Sequence, residues 1–187
     1  MSPDYFYEVK PMEIRQAKIE SPEDRRTIGE LWSEYLLWVN DELKLQYGID
    51  MAAELDTTIE QAVADDLDNL LASFTPPKGR ALIAHKDGTP VGIGCLRPTG
   101  NRTGEIKRMY VKSHARGEGI GRHLLDELLD AAKKARYLRL CLDSVRFMHA
   151  AHRLYRSAGF EIIEPYDESE VPPQLWEYWV FMGLELR

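Results

Sequence analysis

The chain has 187 residues with 24 basic and 31 acidic side chains, a net charge of −7 and an isoelectric point near 5.3. Its 44% hydrophobic and 29% charged residues are typical of a globular protein and exclude a disordered or collagen-like chain. The apolar runs are too short for a membrane helix, the first residues lack a secretion signal, and two cysteines make no disulfide framework, so we expect a cytoplasmic protein with no membrane partner.

The first 79 residues predict one strand followed by two helices. Residues 13–19 alternate apolar and polar side chains, which is the pattern of a short strand. Ser21 can cap a helix in which apolar residues recur at three- and four-residue spacing until Gly48, a natural stop. A second helix is predicted over residues 59–74, where two prolines follow.

From Arg80 onward, short β-type runs alternate with helical patterns. Strands over residues 81–86 and 90–96 are joined by Asp87-Gly88-Thr89, which predicts a hairpin. The remaining predicted strands are 105–111, 138–143, 160–163 and 175–186, and the remaining predicted helices are 119–135 and 149–158. Seven strands and four helices in this order predict one α/β domain around a mixed sheet.

Three glycines lie close together in Arg116-Gly117-Glu118-Gly119-Ile120-Gly121, between a predicted strand and a predicted helix. Glycines leave backbone N–H groups uncovered, and the helix start adds free N–H groups and a positive dipole end, so this segment is typical of a phosphate-binding loop. A Walker loop is excluded because Arg122 and His123 follow, and a dinucleotide fingerprint because Arg122 occupies its last glycine position.

Two motifs carry a family resemblance. Arg116-x-x-Gly119-x-Gly121 after a strand resembles the pyrophosphate-binding signature of the GNAT superfamily of acetyl-CoA-dependent N-acetyltransferases, and Ala151-x-x-Leu154-Tyr155-x-x-x-Gly159-Phe160 resembles its short helix and following strand. The resemblance implies one N-acetyltransferase domain over residues 1–187, with the cofactor motifs in 105–160. It also implies a mixed, mostly antiparallel sheet of about seven strands that splays between strands 4 and 5.

The resemblance implies how the co-substrate acetyl-CoA is bound. The backbone of Met109, Tyr110 and Val111 would bind the pantetheine arm between the splayed strands. The N–H groups of the glycine segment would bind the pyrophosphate, with Arg122 beside them; its residues are Arg116, Gly117, Glu118, Gly119, Ile120 and Gly121. Residues 76–160 fit an anion because they carry 17 basic and 7 acidic side chains, net +10.

No metal is expected, since no cysteine or acidic ligand accompanies His149 and His152.

The transfer needs a base for the attacking amine and an acid for the leaving thiolate. Tyr155 matches the tyrosine that often serves the family as that acid, and an ordinary pKa of ~10 keeps a tyrosine protonated. Glu105 lies on strand 4, where some members carry a catalytic glutamate base. Two alternatives to this base are open: an ordered water, or a purely structural Glu105 in an ion pair with Lys107, Arg108 or Arg136.

A regular strand would place Glu105, Lys107, Met109 and Val111 on one face, unless a bulge resets the register. Glu105 therefore shares the predicted face of two residues expected at the cofactor.

The acceptor side is predicted from residues 20–75 and 161–187, because acceptors in this fold lie between the first two helices and the last two strands. Residues 1–75 carry 6 basic and 17 acidic side chains, net −11, and residues 161–187 carry 1 and 7, net −6. This segregation favours a cationic primary amine, on either a small molecule or a peptide.

The sequence thus predicts an acyl-CoA-dependent N-acyltransferase that moves an acetyl group to a primary amine by direct attack through a tetrahedral intermediate. A non-catalytic acyl-CoA-binding or regulatory module is the alternative, against which the presence of Tyr155 and Glu105 argues. Nucleic acid is not expected as a partner, because the basic residues are spread over strand, loop and helix between acidic flanks. A homodimer is compatible with the sequence.

Overall fold

The computed structural model describes residues 12–54, 56–100 and 102–186, and within these ranges seven strands form one sheet. The strands are β1 Glu13–Gln16, β2 Arg80–Lys86, β3 Thr89–Gly100, β4 Thr103–Val111, β5 Arg139–Val145, β6 Glu161–Ile162 and β7 Trp179–Glu185. They lie in the order β1-β2-β3-β4-β5-β7-β6, and neighbours are antiparallel except for the parallel pair β4 and β5.

The same ranges contain five α-helices, of which one is a single turn. They are α1 Pro22–Tyr47, α2 Met51–Glu54, α3 Ile59–Ser73, α4 Ile120–Lys134 and α5 His149–Ser157. The four longer helices are the four predicted ones. Ser21 caps α1 by accepting the Asp24 N–H, and Gly48 ends it in the left-handed conformation at φ 71°. No helix in the described ranges is long and apolar enough to cross a membrane.

The sheet opens between β4 and β5, as predicted. These strands pair only from Thr103 to Glu105 and from Arg139 to Cys141. Beyond those residues β4 continues along β3 to Val111, while β5 continues along β7 to Val145. The two strands therefore diverge and leave a gap in the middle of the sheet.

The helices cover the two faces of the sheet. The apolar face of α4 packs on one face together with Tyr155 and Phe160, and α1 packs on the other with Tyr110 and Phe181. The divergent ends of β4 and β5 lie between these two layers, so the gap between them is lined by both.

A bulge in β4 changes which side chains share a face. Cys95 pairs with Lys107 but Ile93 pairs with Tyr110, so β4 has one residue more than β3 in this stretch, and Arg108 has a φ of 56°. Tyr110 consequently packs in the α1 layer, whereas Met109 and Val111 pack in the α4 layer. The face predicted for a regular strand is therefore wrong beyond the bulge.

The last predicted strand begins later than expected. Residues 173–178 form a 3₁₀ helix, and β7 starts at Trp179 rather than at Leu175. Pro172 and Pro173 explain the difference, because a proline lacks the N–H of a strand ladder and its fixed φ suits a first helical turn.

Candidate active site

A cavity of about 470 Å³, the glycine-loop cavity, opens where β4 and β5 diverge. Its walls are the end of β4, the loop before α4, the start of α5, and Tyr35 and Trp38 of α1. Nine predicted cofactor-binding residues line it, namely Met109, Tyr110, Val111, Arg116, Gly117, Gly119, Ile120, Gly121 and Arg122. The side chain of Glu118 turns instead to Lys86, with its Oε1 2.6 Å from Nζ.

The glycine loop has a backbone that other residues rarely adopt. Gly117 and Gly119 have φ values of 83° and 84°, where a side chain would be strained. Helix α4 begins directly afterwards at Ile120, so its first N–H groups lack partners within the helix and face the loop. These N–H groups and the helix dipole can bind an anion such as a pyrophosphate.

Two arginines brace this loop. Arg116 donates from Nε to the Val111 carbonyl at 2.9 Å, and its guanidinium lies 4.6 Å from the centre of the Trp38 ring. Arg122 donates from Nε to Asp126 at 2.9 Å and from a terminal nitrogen to Ser157 Oγ at 3.3 Å, which joins α4 to α5. Both arginines line the glycine-loop cavity.

Tyr155 lies on α5 with 5% of its surface exposed, between the glycine-loop cavity and a small cavity of about 50 Å³, the junction cavity. Burial raises the pKa of its phenol above the usual value, and the negative charge of Asp143 acts in the same direction. The phenol is therefore protonated at neutral pH and can donate its proton.

A third cavity of about 180 Å³, the α1-side cavity, lies on the far side of the junction cavity. Lys107, Arg108 and Asp143 line both of these cavities, and Tyr35 lines all three. The junction cavity thus shares lining residues with each of the other two cavities and is adjacent to both. A ligand on each side could meet at the junction cavity.

Glu105 is fully buried and is held by three donors. Its carboxylate accepts from Arg97 Nε at 2.6 Å, Tyr166 Oη at 2.7 Å and Lys107 Nζ at 3.3 Å. Glu105 is not one of the described residues that line the three cavities. These contacts match the ion-pair alternative, with Arg97 as a partner that the sequence did not suggest.

The profile of the acetyltransferase (GNAT) family matches residues 30–160, which include the glycine loop and Tyr155. The chain belongs to this family. An uncharacterized N-acetyltransferase of Schizosaccharomyces pombe is 31% identical over 180 residues, covering 95% of this chain and 98% of that one. An IAA acetyltransferase of Azospirillum brasilense is 34% identical over 115 residues, covering 60% of this chain and 75% of that one.

The fold is also that of solved GNAT proteins. The PaiA N-acetyltransferase of Thermoplasma acidophilum, in complex with coenzyme A, superposes with a TM-score of 0.70 at 22% identity, covering 95% of this chain and all of that one. The co-substrate of the GNAT family is acetyl-CoA. The glycine-loop cavity fits it, since the left-handed glycines of the loop and Tyr155 line the same cavity.

The sequence reading missed three charged or polar residues of this GNAT site. Asp143 is the last residue of a predicted strand. A polar residue at the end of a splayed strand can reach the cleft, so this position was a usable signal in the sequence. Tyr166 and Glu170 lie in an acidic loop with no local pattern, and only the fold brings them to β4.

The histidines of α5 form no metal site in the described ranges, where no group of three or more His, Cys, Asp or Glu could hold an ion. The rings of His149 and His152 are 6.4 Å apart. Burial lowers the pKa of His152, so that this side chain is neutral at physiological pH.

Proposed function

We propose that this GNAT protein transfers the acetyl group of acetyl-CoA to a primary amine that enters through the α1-side cavity. The observation that carries the proposal is the adjacency of three cavities that share lining residues, with Tyr155 at the middle one. A co-substrate in the glycine-loop cavity and an amine in the α1-side cavity would meet beside this buried phenol. The amine nitrogen then attacks the thioester carbonyl directly, forms the tetrahedral intermediate and expels the thiolate.

The binding roles follow the order of residues along the glycine-loop cavity. We assign the pantetheine arm to the backbone of Met109, Tyr110 and Val111, and the pyrophosphate to the N–H groups from Arg116 to Gly121, including that of Glu118, with Arg122 at the edge. The assignment is supported by nine of these ten residues lining one cavity and by the left-handed glycines that expose the N–H groups.

Tyr155 is assigned the role of general acid for the leaving sulfur. Its support is a raised pKa, which keeps the phenol protonated, and its position between the glycine-loop and junction cavities. The general base predicted at Glu105 stays a prediction, and the three donors around that buried carboxylate favour a structural role. Asp143 is the carboxylate that lines the junction cavity, where the amine must shed its proton.

The acceptor is proposed as a primary amine of small size. The charge segregation of the sequence predicts a cationic acceptor, and this stays a prediction. The α1-side cavity does not select one sign of charge, because Lys107 and Arg108 line it together with Asp143 and Glu170. The cavity of about 180 Å³ is smaller than the roughly 300–1,000 Å³ of sites for drug-sized ligands.

The proposal is tested by measuring CoA release from acetyl-CoA over a panel of primary amines, with Tyr155→Phe as the variant. Loss of a general acid typically costs about 10²–10⁴-fold in rate, so kcat should fall by at least a hundredfold while acetyl-CoA still raises the melting temperature. Tyr137→Phe is the matched control, because Tyr137 is equally buried but donates to the Lys78 carbonyl at 2.9 Å, away from the cavities.

The alternative, a non-catalytic acyl-CoA-binding module, gives a different result. Acetyl-CoA would then stabilise the wild-type protein against heat, but no amine of the panel would release CoA. Equal CoA release by wild type and Tyr155→Phe would contradict the acid role and leave the transferase in place.

A further inference from the structure

One face of α5 forms a wall that the glycine-loop cavity and the junction cavity share. Met148 stands directly before the first residue of α5, Ala151 and Tyr155 lie on the helix, and all three line both cavities. Their spacing of three and four residues places them next to one another on the same side of a helix. This face is therefore the common boundary of the two cavities.

The role proposed for Tyr155 limits where the acyl group of the co-substrate can lie. A general acid must lie within hydrogen-bond reach, about 2.6–3.2 Å, of the atom that it protonates, and the acyl carbon is bonded to that same sulfur. With the pantetheine arm in the glycine-loop cavity, the acyl group beyond the sulfur extends into the junction cavity. There it lies against Ala151 and Met148.

The junction cavity is small enough to select acyl groups by their length. Its volume is about 50 Å³, and an atom of the size of a water molecule needs about 10–15 Å³. The cavity thus holds roughly three to five non-hydrogen atoms. An acetyl group and the attacking nitrogen together contribute four such atoms, whereas a butyryl group and the nitrogen contribute six.

Met148 is held in place at the wall of this cavity. The hydroxyl of Ser144, a buried residue that also lines the junction cavity, donates to Met148 Sδ at 3.3 Å. The Met148 N–H donates to the Val145 carbonyl at 3.0 Å, and its carbonyl accepts the His152 N–H at 3.0 Å. A methionine side chain is ordinarily adaptable, so these contacts are what allow this one to set a fixed limit.

The strands contribute charged residues to the same cavity. Lys107 and Arg108 of β4 and Asp143 of β5 line it, and Lys107 Nζ lies 3.4 Å from Asp143 Oδ2. An alkyl chain that extends toward these groups would remove them from water without pairing them, which is unfavourable. Extension of the acyl chain is therefore disfavoured by charge in this direction and by lack of room at Met148.

We infer, on the basis of the proposed function, that the junction cavity binds the acyl group of the co-substrate and that Met148 limits its length to that of acetyl. In the transfer the amine nitrogen bonds to the acyl carbon and the C–S bond breaks. The ammonium form of the acceptor loses two protons overall: one reaches the sulfur through Tyr155, and the other passes to solvent.

The test measures kcat/KM for acetyl-, propionyl-, butyryl- and hexanoyl-CoA, using the full chain and an amine that accepts from acetyl-CoA. One methylene more than a fitted pocket holds typically changes kcat/KM about 10–200-fold. For the wild-type protein, butyryl-CoA should therefore be at least about a hundredfold poorer than acetyl-CoA. Calorimetric Kd values of the four co-substrates, measured without an amine, report on the same site independently of turnover.

Two variants change the room in the cavity in opposite directions. Met148→Ala should raise the ratio of butyryl-CoA to acetyl-CoA in kcat/KM at least about tenfold, because it removes the side chain that limits the length. Ala151→Val adds bulk to the same wall and should lower the ratio of propionyl-CoA to acetyl-CoA about tenfold. Remaining turnover of acetyl-CoA shows that each variant is folded.

Leu154→Ala is the matched control. It shortens a side chain of the same helix that lines the glycine-loop cavity and is not one of the described residues of the junction cavity. Leu154→Ala should therefore change kcat/KM for all four co-substrates by the same factor.

The outcomes that contradict the inference differ in what else they remove. Similar kcat/KM values of acetyl-CoA and hexanoyl-CoA in the wild-type protein would show that the junction cavity sets no length limit. Unchanged ratios in both Met148→Ala and Ala151→Val would show that α5 does not set it, and either result keeps the transferase. Absence of CoA release with every amine removes the proposed function, and the Kd values then still decide whether the cavity distinguishes acyl groups.

Discussion

The carboxylate of Glu105 is buried and inaccessible to water. It belongs to a network of ion pairs between three cations and three carboxylates. The members of the network are Arg97, Lys107, Arg108, Glu105, Asp143 and Glu170. Burial would lower the pKa of Lys107, but the charges of Asp143 and Glu105 outweigh it and raise that pKa. Each buried charge therefore depends on a partner, and removing one leaves another uncompensated.

Glu105→Gln distinguishes a structural carboxylate from a catalytic one. We expect the free energy of unfolding to fall by about 3 kcal/mol, because breaking a buried ion pair strands its partners, while kcat of the folded enzyme changes less than tenfold. Chemical denaturation and CoA release measure the two quantities.

Glu118→Gln is the control for this prediction, since its pair with Lys86 is half-exposed and should contribute less than about 1 kcal/mol. Unchanged stability of Glu105→Gln, together with a kcat reduced a hundredfold, would instead identify Glu105 as the base.

At the scale of elements, we propose that the loop and helix that follow β4 act as one binding unit. The left-handed backbone of Gly117 and Gly119 directs the chain into α4, so the N–H groups around the turn can bind one ligand. Bracing by Arg116 and Arg122 ties this unit to β4 and α5. We therefore expect the binding geometry to depend on backbone conformation more than on any side chain.

Gly119→Ala tests this dependence. The site has room for a methyl group, since the nearest atom is His123 Cε1 at 3.8 Å, so the effect must come from the φ of 84°. We expect the Kd for acetyl-CoA to rise at least tenfold, as for the loss of one charge-assisted hydrogen bond, and the free energy of unfolding to fall by about 1 kcal/mol. Calorimetric titration and denaturation measure both.

Gly48→Ala separates strain from binding. Gly48 has a φ of 71° and open space around it at the end of α1, so it should lose the same stability and bind acetyl-CoA normally. Normal affinity in Gly119→Ala would contradict the role of the loop backbone.

These elements differ in how far the sequence predicts them. The glycine loop, α4 and the helix of Tyr155 follow from short-range patterns, and so do the ends of α1 at Ser21 and Gly48. The bulge at Arg108 does not, because one extra residue in β4 is defined only by pairing with β3. The partners of Glu105 are equally invisible, since Tyr166 is 61 residues away and is brought there by the return of β7 to β5.

For the whole molecule, the pH dependence of stability follows from carboxylates whose pKa is lowered in the fold. The Arg15 side chain lowers the pKa of Asp24 below its usual 3.8. Burial would raise the pKa of Glu170, but Lys107, Arg108 and Arg97 outweigh it and lower the pKa from 4.5 to about 2. Asp24 joins the edge strand to α1, and Glu170 joins the last loop to β4, so both link distant parts of the chain.

The sign of the effect is fixed by these shifts. Both carboxylates bind protons more readily in the unfolded chain, so their stabilisation is complete above about pH 4.5 and is lost as the pH falls toward 2. Asp24→Asn should lower the free energy of unfolding at pH 7 by about 2 kcal/mol, because Asp24 accepts Arg15 at 2.6 and 2.8 Å and the Lys18 N–H at 2.7 Å. Its loss of stability between pH 4.5 and 2 should be smaller than that of wild type.

Asp126→Asn, which breaks a half-exposed pair with Arg122, serves as control and should follow the wild-type curve. An Asp24→Asn curve parallel to that of wild type in urea titrations across this pH range would show that Asp24 is not responsible for the acid sensitivity.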